Sequence, residues 1–223
     1  MIFFIRKLKL IYLIFKNALD PQPKYVFEMS NIAAQMASAK DIEILMNEVY
    51  GRHPQLETLR TNGKNKFETD LKKLFQMPEN TLGHIYAVHM LENKLDPEFY
   101  AHSHFSDPSI AGQKWEYFRV YSLQSHDIWH VLAGYKTDYL GEIGIFSFLF
   151  GQVSTSLYLL IVASISMHTV FGRKRQDALT AFENITQGFQ RGRNAKSCLG
   201  IDWDLHWHRP IQDVRKDLNI ILN

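Results

Sequence analysis

The chain has 223 residues, of which 46% are hydrophobic and 22% charged, and its formal net charge is +2. This composition supports a sizeable buried core and excludes a chain that is disordered throughout. The small net charge does not indicate nucleic-acid binding, and the local basic clusters lack the aromatic platform of a single-strand binder. The single cysteine, Cys198, excludes an intramolecular disulfide and is typical of a reducing compartment.

The first twenty residues, MIFFIRKLKLIYLIFKNALD, mix apolar and basic side chains. Arg6, Lys7 and Lys9 interrupt the apolar core that a secretory signal requires. The apolar run 10–15 is too short to span a bilayer. As a helix, residues 1–20 are amphipathic, which fits either the first helix of a bundle or a helix on a membrane surface.

Segments with apolar residues at helical spacing follow along the chain. Residues 24–37 are rich in helix formers, Asp41 can cap the next helix, and Thr81 can begin a later one. The polar stretch 98–114 is predicted to be a loop. It carries His102 and His104, for which a surface or lid position is favoured over a pair of metal ligands.

After Glu142 the chain has no charged residue until Arg173. That length could span a bilayer, but serine, threonine, glutamine and His168 dilute the apolar character. We therefore predict a central helix that other helices bury, or that lines a lipid cavity, in a soluble or peripheral protein. Further on, His206 and His208 lie in a tryptophan-rich loop, where packing explains them better than a second metal site.

No segment of useful length alternates apolar and polar residues as a strand would, and no glycine-rich phosphate loop occurs. The predicted fold is all-α. We expect residues 1–223 to form a single-domain helical bundle with a buried apolar central helix and a lipid-sized cavity.

The stretch 125–142, SHDIWHVLAGYKTDYLGE, holds the strongest functional pattern. His126 and His130 are four residues apart and share one face of a helix, with Asp127 at its edge. Gly134 can end that helix, and Thr137 or Asp138 can cap the next. The positions of His130 and Glu142 on either side of this turn place them at matching depth on antiparallel helices, about 6 Å from the turn.

Two imidazoles and one or two carboxylates thus converge in the outline of a divalent metal site. Such ligands suit zinc, iron or manganese, and magnesium if water and a phosphate complete the shell. The alternative is a pair of core histidines hydrogen-bonded to carboxylates. Arg119, two turns before His126 on roughly the same face, could meet an anionic group of a ligand or form an ordinary ion pair.

The pattern HDxxH followed by eleven residues and Glu resembles the signature of the ubiquinone (coenzyme Q) biosynthesis protein Coq-four family. His126, Asp127, His130 and Glu142 satisfy it. Weaker similarity surrounds it, at TLG (81–83), in the segment 117–125 and in GIDWDLHWHRPIQDVRKDLNI near the end.

The resemblance implies an all-helical protein that binds a divalent cation, usually assigned as zinc, through those four residues. It also implies a long prenyl-lipid ligand, peripheral membrane association and work alongside other quinone-biosynthesis enzymes. The family's role is interpreted in two ways, as removal of the ring carboxyl at C1 of a prenylated hydroxybenzoate with oxidation at that carbon, or as a scaffold for the biosynthetic enzymes.

Our hypothesis is therefore a metal-dependent prenyl-lipid-binding protein of ubiquinone-type biosynthesis that acts at this C1 carboxyl. Asp127 would be a fourth ligand or the catalytic proton acceptor, and Arg119 would bind the ligand's head. The alternative is a non-catalytic lipid-binding scaffold at the membrane surface. We expect a cytoplasmic protein that is peripheral on the inner face of the membrane. A homodimer is one of its possible oligomeric states.

Overall fold

A computed structural model describes residues 2–64, 66–98 and 108–222, so the pair His102 and His104 lies outside the described residues. Helices dominate throughout, and the described ranges contain no β-strand, which confirms the all-α prediction. The helices are, in chain order, α1 (Ile2–Leu19), α2 (Pro23–Met36), α3 (Ala39–Arg52), α4 (Pro54–Thr61), α5 (Leu71–Phe75), α6 (Leu82–Glu92), α7 (Pro108–Ala133), α8 (Tyr139–Gln152), α9 (Ser156–Ser166), α10 (His168–Phe171), α11 (Ala178–Asn194) and α12 (Ile211–Asp217).

The ends of two helices differ from the sequence prediction. Ser38, and not Asp41, caps α3, because its hydroxyl accepts a hydrogen bond from the Asp41 backbone N–H at 3.1 Å while the Asp41 carboxylate accepts one from the Ser38 backbone. This reciprocal pair is a capping box. Helix α7 begins at Pro108, a position where the missing N–H of proline costs nothing, so residues 108–114 are helical and not part of a loop.

The uncharged stretch forms two main helices instead of one. Helix α8 ends before Val153, and the Thr155 hydroxyl accepts a hydrogen bond from the Tyr158 backbone N–H to start α9. None of the described helices is long and apolar enough to cross a membrane. Helix α8 is the predicted buried central helix, since side chains all around it, Ile143, Ile145 and Phe148 among them, are fully buried.

Helix α11 packs closely along α8 because both carry glycine at the crossing. A Cβ on Gly188 would collide with the carbonyl oxygen of Gly144, and one on Gly192 with that of Phe148. The backbones can approach this closely only without side chains at those positions. This contact fixes α8, which carries Glu142 in its first turn.

The α1–α2 hairpin forms a separate layer with a small core of its own, built from Leu13, Met29 and Ile32. It is fastened to the bundle near the end of α1, where the buried Asn17 amide donates to the Ser164 hydroxyl at 3.0 Å. The hairpin thus covers one side of the bundle without joining its main core at these residues.

Candidate metal centre

The turn between α7 and α8 has the geometry that the sequence predicted. Gly134 adopts φ +74°, and its N–H, like that of Tyr135, donates to the His130 carbonyl oxygen. The Asp138 carboxylate then caps α8 by accepting from the Gly141 N–H at 2.8 Å. A left-handed glycine followed by an N-cap reverses the chain within a few residues. The two helices therefore run antiparallel with His130 opposite Glu142.

Three of the four predicted ligands meet at one point. The Nε2 atoms of His126 and His130 are 3.1 Å apart, and they lie 3.4 Å and 3.2 Å, respectively, from the carboxylate oxygens of Glu142. Ligand atoms around a tetrahedral zinc with bonds of 2.0–2.1 Å are separated by about 3.3 Å. Around an octahedral magnesium they are about 3.0 Å apart. The donor set therefore fits a divalent cation of either kind.

A hydrogen bond to the Tyr135 backbone fixes the orientation of the His130 ring. Its ring is buried, and Nδ1 lies 3.2 Å from the Tyr135 carbonyl oxygen, an acceptor that assigns the proton to Nδ1. The lone pair of Nε2 then points at His126 and Glu142. A backbone carbonyl that holds the outer nitrogen of a histidine is the usual support of a metal ligand.

The side chains of the cluster shift the pKa values of Glu142 and His126. Burial alone would raise the pKa of the Glu142 carboxyl, but the neighbouring His126 and His130 rings outweigh this effect and hold it below its usual range. Burial lowers the pKa of His126, and the facing Glu142 carboxylate more than offsets this, so the net shift is upward. Three electron-pair donors at such distances are stable around protons or a metal ion, because only a positive charge compensates their burial.

The two remaining predicted site residues line a neighbouring cavity. Asp127 is half-buried and lies at the cavity wall beside His126, outside the group of three whose ligand atoms lie within 4.8 Å of one another. The Arg119 guanidinium donates to the Asn31 side-chain oxygen at 2.9 Å and lies over the Trp115 ring. Within the described ranges it forms no ion pair.

The cavity has a volume of about 260 Å³ and is mainly apolar. Its wall includes His126, Asp127 and Glu142. Arg119 also lines the cavity and precedes His126 by two helical turns on α7. Its apolar wall comes from α2, α7, α8 and α9 and includes Val26, Phe27, Trp115, Phe118, Phe146, Leu149, Leu157, Ile161 and Ile165. A polar, metal-competent end thus adjoins an apolar chamber.

The sequence interpretation missed His89 as a neighbour of the cluster. Its ring stacks on His130 with centroids 6.1 Å apart, and its buried Nε2 has no hydrogen-bond partner in the described structure. Burial lowers the pKa of His89, and the neighbouring His130 lowers it further. The helical pattern placed His89 on a face of α6, but only the packing of α6 against α7 brings it to His130.

The pair His206 and His208 does not belong to the cluster. His206 packs against Trp203 with ring centroids 6.2 Å apart, and its Nδ1 lies 3.2 Å from an Arg209 nitrogen. In the part of the chain that the structure describes, the only group of three candidate metal ligands is that of His126, His130 and Glu142.

A family model, described as coenzyme Q (ubiquinone) biosynthesis protein Coq4, matches residues 18–223. The chain belongs to this family. The family is one of ubiquinone biosynthesis proteins, and the sequence signature around His126 had indicated this membership.

Curated relatives agree. The mitochondrial ubiquinone biosynthesis protein COQ4 homolog of Rattus norvegicus is 31% identical over 155 residues, which cover 68% of this chain and 54% of that protein. The Bombyx mori homolog is 32% identical over 165 residues, covering 73% and 59%. The chain thus spans little more than half the length of these relatives.

The fold has a counterpart in a crystal structure from Nostoc punctiforme PCC 73102, described as that of a ubiquinone biosynthesis protein. The two superpose with a TM-score of 0.77 over 97% of each chain, at 20% sequence identity. At this identity the likeness shows the fold alone.

Proposed function

We propose that this Coq4-family chain is a metal-dependent prenyl-lipid-binding protein of ubiquinone-type biosynthesis that acts at the C1 carboxyl of a prenylated hydroxybenzoate. The observation that carries the proposal is that two of the three candidate ligands line an apolar cavity. His126 and Glu142 line the cavity, and His130 supports them from the core. An amphiphile with an anionic head matches this combination of surfaces.

The head group would be held by charge. His126, His130 and Glu142 would hold a divalent cation, with zinc as the first candidate, and its positive charge would attract a ring carboxylate of the ligand. Arg119, half-buried and without an ion pair among described residues, supplies a second positive charge on the same wall. Charge-assisted hydrogen bonds of this kind are strong and orient planar anions.

The apolar wall would hold the start of the prenyl tail. Phe146, Leu149 and Ile161 provide a surface against which isoprene units lose contact with water. The volume of about 260 Å³ lies just below the usual range of roughly 300–1,000 Å³ for ligand pockets. The cavity therefore suits the ring and the first part of the tail, and a longer tail continues beyond it.

Asp127 has the role of a proton carrier in this proposal. When the bond between C1 and the carboxyl breaks, CO₂ leaves and the electron pair stays on the ring carbon, which then takes up a proton. Asp127 lies at the cavity wall beside the ligand cluster, where its carboxylate can accept a proton from water and pass it to that carbon. A bound cation supplies charge stabilisation as the ring becomes electron-rich. Hydroxylation of the same carbon would require an external oxidant.

A second candidate is a non-catalytic scaffold that organises other quinone-biosynthesis enzymes at a membrane surface. The outward face of α11 favours it, because Leu179 and Phe182 are 69% and 63% exposed. Exposed apolar side chains at helical spacing often mark a protein contact. Both candidates place the protein peripherally on the inner, cytoplasmic face of a membrane and need the same metal and lipid.

The test is turnover of a short-chain prenylated hydroxybenzoate, followed by release of CO₂ from a labelled carboxyl, with zinc, magnesium, iron and manganese compared. We expect metal-dependent release from the wild type. We expect none from Glu142→Gln or Asp127→Asn, with full activity in His208→Gln, an exposed histidine outside the site. Metal-dependent binding of the ligand without any release would favour the scaffold, and no binding at all would contradict both candidates.

A further inference from the structure

Helix α1 presents an apolar stripe to the outside of the molecule. Phe4, Leu8, Ile11 and Phe15 are spaced four, three and four residues apart, which places them on one face, and they are 64%, 51%, 50% and 48% exposed. The opposite face, with Leu13, packs into the small hairpin core. Helix α1 is therefore apolar on both faces, and its outer face is largely exposed.

The stripe continues onto the neighbouring helix α10. Phe15 meets Phe171 edge to face, with ring centroids 6.0 Å apart. Val170, next to Phe171 in α10, is 58% exposed. The outer stripe of α1, with Val170 and Phe171, is called the α1 surface below. A contiguous apolar surface of this kind is uncommon on a freely soluble protein.

Positive charge accompanies the α1 surface. Helix α1 contains Arg6, Lys7, Lys9 and Lys16 and no acidic residue. Arg6 donates to the Gln35 carbonyl oxygen and Lys9 pairs with Glu28 at 3.5 Å, whereas the Lys7 and Lys16 ammonium groups lie over rings of α1 itself. The basic run 173–175 begins two residues after Phe171. An apolar stripe with basic flanks matches an anionic lipid surface.

The same charges argue against a second copy of the chain as the occupant. If two copies met through α1, the basic side chains of one would face those of the other, with no acid on either α1 to balance them. Like charges in an interface oppose association. An anionic bilayer satisfies both the apolar stripe and the lysines.

We propose that the α1 surface docks the protein on an anionic lipid bilayer, with α1 lying in the interface plane. The depth to which such a helix sinks, roughly 5–10 Å, matches one layer of apolar side chains. Spanning the bilayer is not required, and no described helix has the length and apolarity for it.

The docked helix also forms a wall of the cavity. Asn17, at the carboxyl end of α1, lines the cavity together with residues 21–23 and Val26 of the hairpin. The end of α1 is held by two hydrogen bonds, from Asn17 to Ser164 and between His168 Nδ1 and the Ala18 carbonyl oxygen. Docking through α1 therefore brings the hairpin side of the cavity to the membrane. We infer that the amphiphile enters there, an extension that rests on the proposed function.

The test is flotation of the full chain with neutral phosphatidylcholine vesicles and with vesicles that also contain an anionic phospholipid. We expect the wild type to float with the anionic vesicles. The variant Leu8→Ser/Ile11→Ser should lose flotation, and Leu179→Ser/Phe182→Ser, which alters an even more exposed apolar pair on α11, should keep it. Flotation of Leu8→Ser/Ile11→Ser at the wild-type level would overturn the proposal.

The charge is tested separately. Each lysine near an anionic surface strengthens binding about fivefold. Lys7→Gln/Lys16→Gln should therefore weaken binding to anionic vesicles by roughly twenty-fivefold and leave binding to neutral vesicles unchanged. An equal loss on both kinds of vesicle would overturn the choice of an anionic surface.

Light scattering and metal content distinguish docking on lipid from self-association and from a failure of the metal site. Light scattering should find the wild type and Leu8→Ser/Ile11→Ser in the same oligomeric state. A wild-type dimer that dissociates in the variant would instead show that a second copy of the chain covers the α1 surface, and would overturn docking on lipid. Metal content should be unchanged in the variant. If Leu8→Ser/Ile11→Ser keeps metal and ligand binding and still floats like the wild type, the docking surface alone is rejected. If the wild type itself binds no metal, the proposed function alone is rejected.

Discussion

His130 Nε2 lies 3.2 Å from Glu142 Oε1, although the two residues belong to different helices. The contact exists because the chain reverses at Gly134 and α8 is capped at Asp138, so that both side chains lie about one turn from the reversal. The candidate metal centre therefore depends on a short turn as much as on its ligands.

Gly134→Ala should damage the site through the backbone. Alanine at φ +74° is strained by about 1 kcal/mol, and its Cβ would press on Leu222 at 3.1 Å. We expect lower stability to urea and weaker binding of zinc. Gly63→Ala is the matched control, since Gly63 has φ +72° with open space around it and lies away from the site. It should lose similar stability and keep its zinc affinity; equal zinc loss in both variants would contradict a role of this turn in placing the ligands.

Above pH 6.5, the stability of the metal-free protein should fall as pH rises, whereas that of the zinc-bound protein should be nearly independent of pH. The pKa of His126 is raised above 6.5 by Glu142, so its protonation stabilises the metal-free protein below pH 6.5, and this stability is lost as pH rises through the folded-state value. Zinc displaces that proton, so its affinity should rise about tenfold per pH unit in the same window.

Thermal unfolding with chelator or with zinc, between pH 6 and pH 9, measures both slopes. Glu142→Gln removes the charge that raises the His126 pKa, so the decline of the metal-free protein should shift to lower pH in this variant. Parallel slopes with and without zinc would contradict a shared proton and metal site.

Gly188→Ala should destabilise the bundle by about 1–3 kcal/mol, because the new methyl group meets the Gly144 carbonyl oxygen and forces α11 away from α8. Gly51→Ala provides a control of opposite sign. Gly51 lies within α3 with nothing near its Cβ position, so alanine should stabilise by about 0.5–1 kcal/mol. Urea unfolding midpoints measure both, and a neutral Gly188→Ala would show that the helices can separate at little cost.

Arg119→Met should weaken binding of a prenylated hydroxybenzoate roughly tenfold or more, since a charge-assisted hydrogen bond to the head group is lost. Zinc content should not change, because Arg119 is not among the three candidate ligands. Binding is measured by the quenching of tryptophan fluorescence, to which Trp115 in the cavity wall contributes. The control is Arg52→Met, which changes an exposed arginine of α3. Arg119→Lys should restore part of the affinity. Unchanged affinity in Arg119→Met would remove this residue from the head-group site.

The turn and the convergence of three side chains could be predicted from the sequence because they depend on local rules. Gly134, Asp138 and the spacing of the histidines encode them within eighteen residues. His89 could not be found this way, since its approach to His130 depends on how α6 packs on α7. The same holds for the cavity, whose walls come from helices far apart in the sequence.

Some local signals were ambiguous. Ser38 and Asp41 both suit a helix cap, and only the capping box shows that Ser38 is the cap residue. The stretch 108–114 contains helix-compatible residues after a proline, and composition alone favoured a loop there. The uncharged stretch after Glu142 gave no sign of its division at 153–155, because Thr155 caps α9 without a charge or a proline nearby.

The most direct test of the central claim, that metal and lipid share one site, is native mass spectrometry of the gently purified protein beside His130→Ala. We expect a wild-type mass that exceeds the polypeptide by one divalent metal and one isoprenoid compound, with the metal absent from the variant. His208→Ala should match the wild type. A bare polypeptide mass for the wild type under non-chelating conditions would contradict the claim and leave His126 and His130 as core histidines.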